Sequence, residues 1–317
     1  MIDKTGYFVV SLDFESMWGA IGSKDVKGFE KRTRFEYEIV DGLIERFTQH
    51  NIHTTWGIVG ALTCKTKEEM ISLLEQDIFY KEWNVGVQDI IRKSNKYYYL
   101  KNQIETLSNT PNVEIASHTF SHAYVNSESI SKSDIRNELE LSKNVLSKYG
   151  TVSTIIFPRN QINKSTIQLL KEHGYSIYRG TINRLWNNKY LEYLNCYIPL
   201  TRKVSYSLKT IKEIDGVYNI PASLFLRFNK NNIVFFDKLK VSRIKHEMKK
   251  SAKKHLVFHL WFHPHNLGNN VKDSFKMLDD ILSFYDVLKK KYGYESVNMI
   301  ELKEKIARRR NQNNESF

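Results

Sequence analysis

Cysteine, proline and glycine are all scarce: two, five and fourteen among 317 residues. Two cysteines, Cys64 and Cys196, make no disulfide framework. They fit a reducing compartment, although a single pair can close in an oxidising one. Glycine and proline this sparse exclude collagen-like and low-complexity classes. No stretch approaches the roughly 20 apolar residues of a membrane span. The first apolar run, Tyr7–Leu12, is cut off at once by Asp13 and Glu15. It is too short for the core of a signal peptide, and no small-residue cleavage site follows. The expectation is a soluble cytoplasmic protein, with a peripheral place on the inner membrane face left open. No internal repeat and no recognised nucleic-acid motif is visible, so a nucleic-acid partner is not indicated.

What the chain does have is apolar material: 41% hydrophobic and 13% aromatic residues, enough for a sizeable core and too much for disorder. Lys and Arg number 48 against 35 Asp and Glu, a formal net charge of +13. That surplus points to a polyanion, an anionic membrane surface or an acidic substrate. Short β-branched and aromatic runs recur at Tyr7–Leu12, Thr54–Val59, Val113–Ala116, Thr154–Phe157 and Leu256–Phe262. Their length and composition predict buried strands. Helical spacing marks Phe35–His50, Ser133–Tyr149, Ser165–His173 and Ser274–Tyr292, with Ser133-Asp134 as a cap and Gly174 as a stop. Strands alternating with helices predict an α/β fold, either a mostly parallel sheet or a (β/α) barrel. Lys65–Asn109 and Thr201–Lys254 break the pattern and read as insertions into one unit spanning 1–306. Ala307–Phe317, with Arg308-Arg309-Arg310, reads as a basic, disordered tail.

In such folds functional groups gather at the carboxyl ends of strands. Asp13 and Glu15, His118 and His122, Arg159, and His263 and His265 all follow predicted strands. Two histidines four apart in a helical turn point the same way and can reach one metal ion. Taken alone that pair is more often coincidental, and its place after a strand is what favours a metal. Asp13 and Glu15 offer a metal ligand and a general base. Phe14 and Trp18 would wall them with apolar surface. The planar fork of Arg159 is suited to hold Asp13 ionised. His259, Trp261 and His263 share one face of a strand. His263, at its end, is the candidate acid; His259 is a core histidine, and His265 a ligand or a hydrogen-bonding neighbour of the site. Two histidines and a carboxylate suit zinc, with cobalt, nickel or manganese also compatible.

The order of these clusters resembles the polysaccharide deacetylase family, also called carbohydrate esterase family four or NodB-like hydrolases. The counterparts of its motifs are Ser11-Leu12-Asp13-Phe14-Glu15, His118-Thr119-Phe120-Ser121-His122, Phe157-Pro158-Arg159-Asn160 and Trp261-Phe262-His263. Thr54–Gly60 is similar to its second-strand segment. The resemblance implies an irregular (β/α)₇ barrel and removal of an acetyl group from an N-acetylated sugar or glycan. It further implies Asp13 as general base, His118 and His122 on a divalent metal, Arg159 orienting Asp13, and His263 as general acid. Phe14 stands where the family has a second metal-binding Asp. Glu15, on the same strand face as Asp13, is the expected replacement. The pattern is that of a divergent branch linked to bacterial surface-polysaccharide pathways. Trp18, Trp186, Trp261 and Tyr97–Tyr99 are candidates for stacking on sugar rings. Two alternatives stay open: a hydrolase of the same fold acting on another C–N bond, and an inactive carbohydrate-binding or assembly protein. The oligomeric state is not legible.

Overall fold

Tyr7–Phe14 form the first strand, β1, and every one of the eight residues is buried. A strand covered on both faces needs apolar side chains on both, which is why it reads as an almost unbroken apolar run. The computed structural model describes residues 5–21, 23–75, 96–127, 130–182, 196–197, 204–228 and 234–314. After β1 come α1 (Val26–Thr33), α2 (Glu36–Gln49), β2 (Thr54–Ile58), α3 (Lys67–Glu75), α4 (Lys101–Ser108) and β3 (Val113–Ser117). Then follow α5 (Lys132–Leu146), β4 (Thr154–Ile155), α6 (Lys164–Glu172) and β5 (Ile177–Tyr178). The last part holds β6 (Glu213–Ile214), β7 (Val217–Asn219), β8 (Leu224–Phe225), α7 (Val234–Lys254), β9 (Val257–Phe262), α8 (Val271–Tyr292), β10 (Glu295–Ser296) and α9 (Met299–Asn314).

β2, β3, β4 and β5 follow β1 on one side, and β9 lies on the other, all parallel. Residues 217–226 join the two edges. β7 pairs with β5, and the Ala222 N–H donates to Gly180 O. The Ser223 and Leu226 N–H groups donate to His259 O and Trp261 O of β9. Pro221, which has no N–H to give, sits where this strand splits into β7 and β8. The ring of seven parallel strands is the irregular (β/α)₇ barrel. β6 pairs antiparallel outside β7, and β10 pairs beside the start of β1.

Alternation along β1 assigns the layers. Phe8, Val10, Leu12 and Phe14 pack into the apolar layer beneath the helices. Tyr7 and Val9 point into a separate interior cluster with Ile177, Ile220, Val257 and the α9 residues Met299, Leu302 and Ile306. That cluster plugs one end of the barrel. Ser11 and Asp13 continue the same interior face beyond it, so the polar centre stands on an apolar floor.

Four expectations change. Thr201–Lys254 is not an insertion beside the core: it supplies β6, β7, β8 and α7, and α7 packs on α8, β1 and β9. Within Lys65–Asn109, α4 is a barrel helix between β2 and β3, while residues 76–95 lie outside those described. The basic tail is helical to Asn314, because Ile306 is anchored in the floor and Arg310 pairs with Glu213 beside the Tyr218 ring. The α5 cap is Ser131, with a reciprocal box to Asp134, two residues earlier than the expected Ser133. Among the described residues no helix is long and apolar enough to cross a membrane.

Candidate active site

Asp13 is the last interior-facing residue of β1. Its carboxylate oxygens accept from both terminal nitrogens of Arg179, at 2.5 and 2.7 Å. Arg179 follows β5 and is fully buried. Two further donors are also used: Nε–H donates to Asn160 Oδ1 at 2.8 Å, and one terminal nitrogen donates to Ser11 Oγ at 3.0 Å. The guanidinium lies over the Trp261 ring, 4.4 Å from its centre. Burial pushes the Asp13 carboxyl up, but Arg179, His118 and His263 outweigh it and hold the group below the usual carboxylate range.

β1 stops at Phe14. Glu15 has already turned into helical backbone, and Ser16 is left-handed at φ 44°. Glu15 therefore reaches the site from a turn rather than from the strand face it was expected to share with Asp13. Its Oε2 is 2.8 Å from His122 Nε2 and 3.5 Å from His118 Nε2. The turn at residues 16–20 presses so closely that a Cβ on Gly19 would lie 2.2 Å from Glu15 Oε1. Glycine at 19 is thus required by the seat of the carboxylate. Burial raises the Glu15 carboxyl, yet His263 and His122 beside it hold it well below the ordinary range.

His118 and His122 lie in an irregular turn after β3, not in a helical turn. Thr119 and His122 are both left-handed, at φ 63° and 65°, and the imidazole centres are 5.1 Å apart. The fully buried Glu138 of α5 braces this turn. It accepts from the Phe120 and Ser121 N–H groups at 2.8 and 3.0 Å and from Ser121 Oγ at 2.5 Å. His118 Nδ1–H donates to Ile156 O at 2.6 Å. That fixes the tautomer and leaves Nε2, which has no partner, with its lone pair turned to Glu15. Burial holds His122 below its usual value in spite of Glu15, which favours a neutral ligand.

The donor set passes the test for a divalent cation. One carboxylate oxygen and two imidazole nitrogens, all buried, lie within 4.8 Å of one another. An orphaned buried nitrogen among them is the mark of a missing partner. His263 completes the mouth: its Nε2 is 3.7 Å from Asp13 Oδ2 and 3.8 Å from Glu15 Oε1. It remains partly exposed, open to a ligand. His265 Nε2 is 3.9 Å from Glu15 Oε1, and burial takes its pKa down to about 3.

Residues 37–178 match the family model described as polysaccharide deacetylase. Over that stretch, a little under half of its length, the chain is similar to this family. Among solved structures, a presumed polysaccharide deacetylase from Mycobacterium smegmatis superposes with a TM-score of 0.65 at 13% identity, covering 98% of this chain and 93% of that one. A 4-α-glucanotransferase from Thermococcus litoralis superposes at 0.54 with 12% identity, over 95% of this chain and 40% of that one. At such identities the likeness is one of fold, and the fold alone does not name the reaction. No protein with a curated description matches the sequence.

At the mouth of the barrel Asp13, Glu15, His118, His122, His263 and His265 converge. Arg159 does not join them. It is exposed and lies over the Tyr124 ring, because the turn at 158–160 carries it outward while Arg179 occupies the inward place. Arg179 was missed, although it ends a short apolar run after Gly174 just as the other clusters end theirs. Glu138 was missed too; its signal is an acid on the apolar face of α5 beside Ile135 and Leu139. Trp18 is a core residue, fully buried, donating to Tyr98 O and edge-on to the Tyr98 ring. Tyr98 is likewise buried. His259 is fully buried and satisfied by Ser11 Oγ and Pro221 O. Trp261 faces the interior between Arg179 and His263. Trp186 lies outside the described residues.

Proposed function

We propose that the chain is a metal-dependent hydrolase removing the N-acetyl group from a sugar of a bacterial surface-polysaccharide precursor. The observation that carries this reading is the meeting, at one mouth, of a bidentately held carboxylate, a Glu-His-His donor set and a third imidazole facing both acids. Glu15, His118 and His122 would hold the cation, zinc being the best match to this donor set. Bound there, it would supply Lewis acidity to an amide carbonyl and acidify water.

The chain's own groups do the rest. Asp13, kept ionised by Arg179, takes a proton from the attacking water, whose oxygen bonds to the amide carbon. His263, across the mouth, gives a proton to the amide nitrogen as the C–N bond breaks. Acetate and a free amine result. Glu15 in the place of the family's second Asp supports retained activity, since Phe14 removes a ligand and Glu15 returns one.

Metal analysis of the purified protein, coupled to acetate assays on N-acetylhexosamine derivatives, tests the reading. It expects about one divalent ion per chain and acetate release abolished by chelation and by Asp13→Asn. Activity that survives chelation and His118→Ala would select a different C–N hydrolase. Bound metal with no acetate from any derivative would select a binding protein.

A further inference from the structure

Two exposed arginines flank the mouth in the same manner. The Arg159 guanidinium carbon is 4.0 Å from the centre of the Tyr124 ring, which stands edge-on to His122 at 5.5 Å. The Arg227 guanidinium carbon is 5.5 Å from the Phe225 ring, which stands edge-on to His263 at 5.4 Å. Each arginine is therefore one aromatic ring away from a histidine of the site. One lies on the β3–β4 side, the other on the β8–β9 side.

The placement of Arg159 is costly. Arg159 and Asn160 are consecutive left-handed residues, at φ 57° and 51°, and neither is glycine. Such conformations are unfavourable for residues with a Cβ and persist only where the surroundings impose them. Here the constraint is visible: Asn160 Oδ1 accepts from Arg179 Nε–H, so the turn is bolted to the group that holds Asp13. Its effect is to lift Arg159 to the rim, where no carboxylate among the described residues pairs with it.

A guanidinium raised on strained backbone with no carboxylate beside it, as that of Arg159 is, has little to offer a neutral sugar. It suits a phosphate or a carboxylate, which accepts bidentately from arginine. The net charge of +13 draws the same class of ligand toward the molecule. We propose that the site takes an anionic substrate, an N-acetylated sugar bearing a phosphate or carboxylate close to the acetamido ring, and that Arg159 and Arg227 are the groups that select it. The acetamido part rests on the deacetylase reading above; the anion part does not.

Calorimetric titration of the zinc-loaded full chain separates the two. The probes are N-acetylglucosamine 1-phosphate, its nucleoside-diphosphate form, a uronic acid-containing N-acetylated disaccharide, and the uncharged methyl glycoside. The expectation is binding at least about tenfold tighter for one or more charged probes. Arg159→Gln and Arg227→Gln should each remove most of that preference, while Arg159→Lys restores part of it. Which charged probe binds best distinguishes phosphate from carboxylate. Equal affinity for charged and uncharged probes, or a preference untouched by either substitution, overturns the proposal even if acetate is released. A preference that both arginines control, with no acetate released from any probe, upholds the proposal and sinks the deacetylase reading.

Discussion

In the proposed reaction Asp13 works only as an anion in a fixed orientation, and Arg179 supplies both conditions. A lysine at 179 keeps the charge but loses the planar fork, so one carboxylate oxygen loses its donor. Arg179→Lys is expected to lower kcat for acetate release by about tenfold to a hundredfold with metal content unchanged. An unaltered kcat would remove Arg179 from the site. Glu36 makes the opposite case. It is fully buried beside Glu15, its oxygens make no hydrogen bond of good geometry, and burial together with the Glu15 charge pushes its pKa up to about 8 from 4.5. In the unfolded chain it ionises near 4.5, so between there and about pH 8 the folded state holds the extra proton. Stability of the metal-free protein should then fall as pH rises through that window, by a few kcal/mol in all. Glu36→Gln should flatten the dependence and melt higher than the parent at pH 8. Melting curves of the two that run parallel from pH 5 to 8 would show that Glu36 is not the group.

At the scale of elements, the candidate metal site is a turn braced by a helix. Glu138 of α5 ties down the backbone of Phe120 and Ser121, between the two histidines. Glu138→Gln leaves one oxygen where two worked, and its amide group now faces the Ser121 hydroxyl. Loosening of this kind typically costs 10–100-fold in metal affinity. Chelator-competition titration should show zinc held about that much more weakly, with helix content by circular dichroism unchanged. The elements also set what could be read in advance. Strand ends were legible, because a buried parallel strand announces itself as an apolar run and its carboxyl end as the first polar residue. Asp13, His118, His122 and His263 were found that way. β5, β7 and β8 are two or three residues long, too short to announce anything, and Arg179 was lost with β5. Arg159 was assigned by its place after β4, but the side of the barrel on which a turn delivers a side chain depends on left-handed backbone angles that sequence spacing does not carry.

For the whole molecule, a cation held by Glu15 after β1 and by His118 and His122 after β3 would be a cross-link between distant parts of the chain. A ligand that binds only the folded state stabilises it by about 2.7 kcal/mol at a hundred times its dissociation constant. Zinc should therefore raise the melting temperature by several degrees, and His122→Ala should abolish the shift. A shift that persists in that variant would place the ion elsewhere. Net charge and composition were legible from the outset, yet closure of the ring was not. It depends on residues 217–226, where Pro221 divides one strand into two fragments that answer to different neighbours.

The apolar floor fixes the direction of traffic. Tyr7 and Val9, backed by Met299 and Leu302, leave no passage through the barrel axis. Whatever enters at the rim must leave by the same door. For the proposed reaction, the sugar, its amine product and the departing acetate would have to share one vestibule.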